Sequence, residues 1–169
     1  MHIICVNSIY PRLKLRCVTC TLQADMPSFD FTHAPGHLIR RAHQKSIALF
    51  SEEMAAFDVT AVQFAILQTL MDAPGSDQIT VAQNVALDAA TSGSVIGRLE
   101  ARGWLRRESD ALDKRRKLLW LTPEGKKAGT KMQQHARNVQ AKLLAPLSKD
   151  EQRQIVELLQ KISLGDETH

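Results

Sequence analysis

The chain carries four consecutive cations, Lys114–Lys117, directly after Asp113. The flanking segments Trp104–Glu108 and Lys117–Leu121 are typical of two strands of a hairpin, which places the cations at its turn. Like charges this close together repel one another and add nothing to the stability of a fold. The phosphate backbone of a nucleic-acid duplex would attract them, because each neutralised phosphate releases counterions. The residue types at this turn therefore indicate phosphate binding.

The charge balance of the chain points to the same segment. The 169 residues have a net charge of +4, with 44% hydrophobic and 24% charged residues, which is the composition of an ordinary globular protein. Residues 102–117 hold seven basic and three acidic residues, so the local excess equals the excess of the whole chain. Positive charge concentrated in one patch favours a polyanionic partner.

The segment before the hairpin predicts a helix–turn–helix. A short helix over residues 81–87 begins after Thr80, and a second helix covers residues 91–102. One face of the second helix is small and polar, as a helix that enters a major groove requires. We expect four DNA contacts from this face: Thr91, Ser92, Ser94 and Arg98.

The hairpin then forms a wing beside the second helix. We expect Arg115 at its tip to enter the minor groove, and Arg116 and Lys117 to contact phosphates. Asp113 is expected to pair with a neighbouring arginine, and Lys114 completes the predicted contacts. A basic turn alone is most often a solvated surface, and paired helices are common. Their combination in this order favours double-stranded DNA as the partner.

The remaining helices have wide apolar faces that one copy of the chain hardly covers. Helices are predicted over residues 36–57, 60–73, 123–144 and 149–163, with capping residues Thr60, Thr122 and Ser148. Together with the hairpin, they give a mainly α fold with a small β-hairpin (α+β). A homodimer in which the first and last two helices interleave is the economical way to bury these faces.

Histidines and arginines cluster at the start of the first helix. Arg40 lies between His37 and His43, and the fork of an arginine suits a carboxylate. One hypothesis is a pocket for an anionic ligand, with these three residues as polar groups and apolar walls from Phe50, Phe57, Phe64 and Leu67. The alternative is a core histidine beside solvated or salt-bridged arginines.

Other classes of protein have little support. Because the sequence has no glycine-rich phosphate loop, no Gly-x-Ser-x-Gly motif and no metal-ligand pattern among its six histidines, we expect no enzyme, metal or cofactor. Cys17 and Cys20 have metal-ligand spacing, but no second pair completes a zinc site. The absence of cysteine after Cys20 disfavours a redox sensor. With no apolar run that could span a membrane and a poor signal peptide, we expect a cytoplasmic protein.

Residues 1–25 differ from the rest of the chain, because they show no sustained periodicity and hold all three cysteines, including Cys5. Two interpretations remain open. The segment is either an extension that is disordered or follows a misassigned start, or a functional basic arm. We favour the first interpretation, since termini without packing partners are usually disordered.

From Gly36 to Ile162 the chain resembles the MarR family of transcriptional regulators. The resemblance rests on residues 99–105 (LEARGWL), the triplet Asp113–Arg115, residues 121–125 (LTPEG) and the ending 147–159. It implies a winged helix–turn–helix and an obligate homodimer formed by the N- and C-terminal helices. The implied organisation is an extension over 1–32, a dimerisation region over 33–58 and 123–165, and a DNA-binding region over 59–122.

The resemblance also implies a function. Members of the family bind pseudo-palindromic operators, usually as repressors, and many respond to phenolic or aromatic carboxylates. The expected function is therefore repression of a catabolic or efflux operon, with release by an aromatic acid such as a hydroxybenzoate. The alternatives are a regulator that senses an antibiotic-like or acyl-CoA ligand, and a helical interaction protein that binds no DNA.

Overall fold

The computed structural model describes residues 29–165 of the chain, so the three cysteines and most of the predicted extension lie outside the described residues. Elements follow in the order α1 (Pro35–Glu53), α2 (Ala61–Asp72), α3 (Gln78–Asn84), α4 (Ala89–Ala101), β1 (Leu105–Ser109), β2 (Lys117–Leu121), α5 (Pro123–Leu144) and α6 (Lys149–Leu164). This order confirms the predicted mainly α fold with a two-stranded hairpin.

The three predicted caps, Thr60, Thr122 and Ser148, are confirmed by hydrogen bonds. The hydroxyl of Thr60 accepts from the amide of Gln63 at 3.2 Å, and the Gln63 side chain returns a bond to the Thr60 amide. Ser148 forms the same reciprocal arrangement with Glu151 at the start of α6. These caps satisfy amides that a helix leaves unpaired in its first turn, and they explain why the helices begin where the sequence indicated.

The first predicted helix ends early. α1 stops at Glu53, and a 3₁₀ turn covers Ala55–Phe57. Asp58 then adopts a left-handed conformation (φ 50°, ψ 55°) before Thr60 starts α2. The prediction of one helix over 36–57 is wrong at this end. The apolar spacing continues through the turn, but the backbone leaves the α-helical conformation after Glu53.

The predicted bounds of α3 are wrong at both ends. The helix begins at Gln78, because the carboxylate of Asp77 caps it by accepting from the amide of Thr80 at 2.9 Å. Thr80 is therefore inside the first turn and not the cap. At the other end α3 stops at Asn84, and Ala86 takes a positive φ of 52°, which excludes a continuation to residue 87.

The core is centred on α2, which packs against α4, α5 and β2. Its residues Ile66, Leu67 and Leu70 are fully buried, because the helix is apolar on most sides. Full burial of one such side chain stabilises the fold by about 1.5–3 kcal/mol. The other elements contribute further buried residues: Val81, Ile96, Leu99, Leu105, Leu119, Met132 and Val139.

The hairpin is anchored along both edges of β2. On one edge β1 pairs in antiparallel register, with Leu105 opposite Leu121 and Ser109 opposite Lys117. On the other edge the amide of Leu119 donates to the carbonyl of Ser76 at 2.9 Å, and its carbonyl accepts from Gly75 at 3.0 Å. The wing is thus fixed to the turn that precedes α3.

The helices at the two ends of the described chain keep apolar side chains exposed. No residue of α6 is buried. The exposed large apolar residues of α1 and α6 are Leu38, Ile39, Ile47, Val156, Leu158, Leu159, Ile162 and Leu164. Apolar faces of this extent are typical of an interaction surface. Among the described residues, no helix is both long and apolar enough to cross a membrane.

Candidate DNA interface and ligand cavity

The second helix of the helix–turn–helix, α4, begins at a well-formed cap. The carboxylate of Asp88 accepts from the amide of Thr91 at 2.8 Å and from its hydroxyl at 2.6 Å. These bonds hold the pKa of Asp88 below its usual value, the hydroxyl bond having the larger effect. The hydroxyl of Thr91 is engaged by the cap, which leaves its methyl group and a lone pair for a groove contact.

Ser92 is not available to DNA, and its predicted base contact is wrong. Its side chain is fully buried, and its hydroxyl donates to the carbonyl of Ala89 at 2.9 Å. Ser92 shares the inward face of α4 with Ile96 and Leu99, since residues four and seven positions apart lie on one side of a helix. Ser94 and Arg98 lie on the exposed side of α4.

The tip of the wing exposes Lys114 and Arg115. Neither side chain forms an ion pair with a residue in the described range 29–165. Asp113 shapes the turn differently from the prediction. Its carboxylate accepts from the backbone amide of Arg115 at 3.0 Å and makes no ion pair with an arginine side chain of residues 29–165. The predicted pairing is wrong because the closer backbone amide takes the carboxylate.

Arg116 is tethered to the protein, and because its side chain is still about half exposed, its predicted phosphate contact stays a prediction. Its guanidinium lies 2.7 Å from the carboxylate of Asp77 and 3.7 Å from that of Asp110. The pKa of Asp77 is lowered chiefly by the hydrogen bond from the amide of Thr80 and, to a smaller extent, by Arg116. In turn, Asp77 raises the pKa of Arg116. Arg116 therefore joins the wing to the cap of α3.

The remaining cations of the segment also have partners within the chain. Lys117 donates to the hydroxyl of Ser109 across the hairpin at 2.7 Å. Arg107 pairs with Glu100 at 3.2 Å, and Arg106 pairs with Glu108. Arg102 donates to backbone carbonyls of the α1–α2 connection. Because Lys117 and Arg102 bond to neutral oxygens, they keep their charge. Within residues 98–117, the cations that pair with no carboxylate of the described range are thus Arg98, Arg102, Lys114, Arg115 and Lys117.

The predicted polar ligand residues lie along the first half of α1. His37 packs against the ring of Phe31, with ring centroids 4.4 Å apart, and Arg40 is exposed. His43 borders a cavity of about 440 Å³ between α1, α5 and α6. The cavity is lined mainly by apolar side chains, and its polar lining residues are His43 and Ser46. The apolar lining residues are Leu38, Ile39, Ala42, Leu143, Ile155 and Leu159.

The predicted apolar walls lie elsewhere, so the single pocket assembled from the sequence is wrong for one chain. Phe50 is 8% exposed and packs against Phe64 with ring centroids 5.9 Å apart, inside the core together with buried Leu67. Phe57 packs edge-on against His135 at 5.2 Å. Phe50 is seven residues beyond His43, about 10 Å along the helix, so these rings do not border the His43 cavity.

A polar cluster between α1 and α5 was not predicted from the sequence. The carboxylate of Glu53 lies 2.6 Å from the ammonium of Lys142, and 3.5 Å from both Asn138 and His135. Chiefly through Lys142, the cluster lowers the pKa of Glu53, and it raises that of Lys142. The signal was the spacing of residues 135, 138 and 142 on one face of α5, but their partner lies 85 residues from Asn138 in sequence.

Among residues 29–165, no group of three or more His, Cys, Asp or Glu side chains is placed to hold a metal ion. The candidate site therefore consists of two parts. One part is the exposed surface of α4 and the wing tip, with cations that pair with no carboxylate of the described range, and the other is the apolar cavity beside His43.

Comparison with known proteins agrees with this geometry. The model of the MarR family matches residues 57–116. The chain is 34% identical over 126 residues to the transcriptional regulator HosA of Escherichia coli O157:H7, which covers 75% of this chain and 92% of HosA. The family match contains α4, β1 and the wing turn up to Arg116.

Two solved structures have the same fold. BpsR of Bordetella bronchiseptica, whose DNA binding is regulated by 6-hydroxynicotinic acid, superposes with a TM-score of 0.78 at 35% identity, over 82% of this chain and 99% of BpsR. PcaV of Streptomyces coelicolor, in complex with its natural ligand, superposes with a TM-score of 0.76 at 36% identity, over 84% of this chain and 100% of PcaV.

Proposed function

The chain belongs to the MarR family of transcriptional regulators, and from this membership we propose that it is a homodimeric repressor that an aromatic carboxylate releases from a pseudo-palindromic operator. In this proposal residues 59–122 bind DNA, and residues 33–58 and 123–165 form the dimer. The controlled genes would belong to a catabolic or efflux operon.

DNA binding is supported most directly by the wing tip. Arg115 and Lys114 extend from a turn whose neighbours are held by the protein, and Arg115 has no ion pair among the described residues. A fixed wing that presents one free arginine suits a narrow minor groove, where the negative potential is strongest. Ser94 and Arg98 on the exposed face of α4 then lie in the major groove, and Lys117 contacts a phosphate.

Dimerisation is supported by the exposed apolar faces of α1 and α6. A second copy that covers them makes an interface in which the same surface is used twice. In this arrangement the two α4 helices enter successive major grooves on one side of the duplex, about 34–36 Å apart. A two-fold symmetric protein then matches a pseudo-palindromic operator.

The ligand class is supported by two observations. BpsR, which has this fold, is regulated by an aromatic acid, and the His43 cavity is large enough for a small ring. Arg40 lies one turn before His43 on α1, and residues three positions apart on a helix are neighbours. We propose that Arg40 binds the carboxylate, while His43 and His37 serve ring substituents and the apolar lining holds the ring.

The test is a gel shift with duplex from the region upstream of the protein's own gene, with and without hydroxybenzoates and 6-hydroxynicotinic acid. We expect a specific shift that one of these acids abolishes. A shift that no acid disturbs would contradict the ligand class, and antibiotic-like and acyl-CoA compounds would then be tried. No specific shift at low salt would contradict the repressor proposal itself.

The variant Arg40→Ala assigns the carboxylate contact, with Arg41→Ala as the matched control because it removes the same charge from the adjacent, exposed position. We expect Arg40→Ala to require far more acid for release, while Arg41→Ala behaves like the wild type. Equal responses of both variants would contradict the role of Arg40.

A further inference from the structure

Arg102 connects two distant parts of the chain. It follows the last residue of α4, and its two terminal nitrogens donate to the carbonyls of Phe57 at 2.6 Å and Asp58 at 2.7 Å. These acceptors precede it by 45 and 44 residues and close the 3₁₀ turn between α1 and α2. The end of the helix that enters DNA is thereby tied to the end of the first dimerisation helix.

The two hydrogen bonds join a charged donor to carbonyls at the end of a helical turn, which favours strong bonds. Carbonyls at the end of a helical turn lack partners within the turn and carry partial negative charge, so a guanidinium is a favourable donor. Both distances are short, as expected for charge-assisted bonds, and they use the two prongs of the guanidinium fork. Asp58 makes this geometry possible because its left-handed conformation places its carbonyl next to that of Phe57.

Trp104 supports the guanidinium from the other side. The carbon of the guanidinium lies 3.9 Å from the centroid of the indole ring, within the range of a cation–π contact. The carbonyl of Trp104 accepts from the amide of Thr122 at 3.1 Å, and a side chain at Gly125 would overlap that carbonyl. Arg102 therefore lies where the α1–α2 turn, the start of the hairpin and the start of α5 meet.

We propose that Arg102 is a positioning residue for operator binding, which holds the end of α4 against the α1–α2 turn without contacting DNA itself. The inference rests on the proposed DNA-binding function. α4 is about 20 Å long, so a small rotation at its last residue displaces Ser94 and Arg98 relative to the base edges. Binding to arbitrary sequences depends on phosphates alone and tolerates such a displacement.

The test compares Arg102→Gln and Arg102→Lys with the wild type on two probes, a duplex selected by the wild-type protein from a random library and a scrambled duplex of equal length. Arg102 is exposed and borders an open cavity, so its replacement leaves no buried void. Arg137→Gln on α5 is the control for charge, because it removes one exposed cation whose hydrogen bonds go to Gln134 of the same helix. Thermal melts verify that every variant is folded at the assay temperature.

We expect both Arg102 variants to lose about tenfold or more in affinity for the selected duplex, with little change on the scrambled duplex and an unchanged salt dependence. Lysine keeps the charge but cannot reproduce the fork, so Arg102→Lys should fail as well. If Arg102 served only the stability of the fold, its replacement would reduce the fraction of folded protein. The affinities for the selected and the scrambled duplex would then fall by the same factor, and their ratio would not change.

Two results would overturn the inference. Wild-type affinity of Arg102→Lys, together with a weaker salt dependence of Arg102→Gln on both probes, would make Arg102 a phosphate contact. Unchanged binding by both variants would leave it without a role in DNA binding. Failure of the wild-type protein to select any duplex would instead contradict the proposed function, so the two failures are distinguishable.

Discussion

Arg115 and Arg116 are adjacent in sequence, yet their surroundings give them different roles. Arg115 is exposed at the tip of the wing, while Arg116 is bound to Asp77 and Asp110. The sequence predicted that both lie in the basic turn of a hairpin, which the structure confirms. The sequence could not show which of the two arginines is bound by a carboxylate, because Asp77, the partner of Arg116, lies 39 residues away. The same limit applies to Ser92, whose burial depends on how α4 packs.

Replacement of Arg115 by alanine should weaken binding to the selected duplex by about tenfold or more, because a groove contact is lost. The dimer should remain intact, since the Arg115 side chain is exposed and forms no ion pair with a residue of the described range. Gel shift and light scattering measure the two properties, and Arg137→Ala serves as the control. A variant that binds normally, or one that is monomeric, would contradict the role assigned to Arg115.

The tether of the wing is tested by Asp77→Asn and Arg116→Ala. Asparagine still caps α3 but loses the ion pair, so both variants should weaken duplex binding to a similar extent. In the double variant the effects should not add, because the two residues act through one contact. If Arg116→Ala alone reduces the salt dependence while Asp77→Asn binds normally, Arg116 contacts phosphate instead.

At the scale of elements, local signals determined most of the fold. The polar caps Thr60, Thr122 and Ser148 and the bounds of α5 were predictable, because capping and periodicity act within a few residues. The end of α1 was not predictable, since a left-handed Asp58 has no strong sequence signal. The predicted apolar walls of the ligand pocket could not be placed for a related reason. Spacing along one helix does not reveal which rings the core retains.

The cluster around Glu53 should make the α1–α5 contact sensitive to acid. Because the pKa of Glu53 is lowered in the fold, its contribution is present above the ordinary carboxyl pKa and is lost as the pH falls through the lowered value. Melting temperatures of the wild type should therefore exceed those of Glu53→Gln at pH 7 and converge with them in strong acid. A constant difference down to pH 3 would contradict this prediction.

At the scale of the whole molecule, the described chain is incomplete without a second surface. α6 has no buried residue, and its apolar side chains face away from the core. In the proposed dimer one copy of α4 and one wing cover only a half-site, so we expect affinity for an operator to depend on pairing. The sequence indicated this surface through the wide apolar faces of the terminal helices, but it could not specify the interface.

Replacement of Ile162 by glutamate should produce a folded monomer that no longer binds the selected duplex tightly. Ile162 is 66% exposed in the single chain, so a charge there disturbs an interface and not the core. Gln160→Glu is the matched control, because it adds the same charge on the neighbouring exposed position of α6. Analytical ultracentrifugation reports the mass of each variant. A dimeric Ile162→Glu variant would exclude this face from the interface.

The most direct test of the account is a hydroxyl-radical footprint of the full chain on its selected duplex. We predict two protected patches on one face of the DNA, about one helical turn apart, because two α4 helices enter successive major grooves. Additional protection in the minor groove at the outer edges should disappear with Arg115→Ala. A single protected patch, or protection without a sequence preference, would contradict a two-fold symmetric regulator that binds an operator through α4 and the wing.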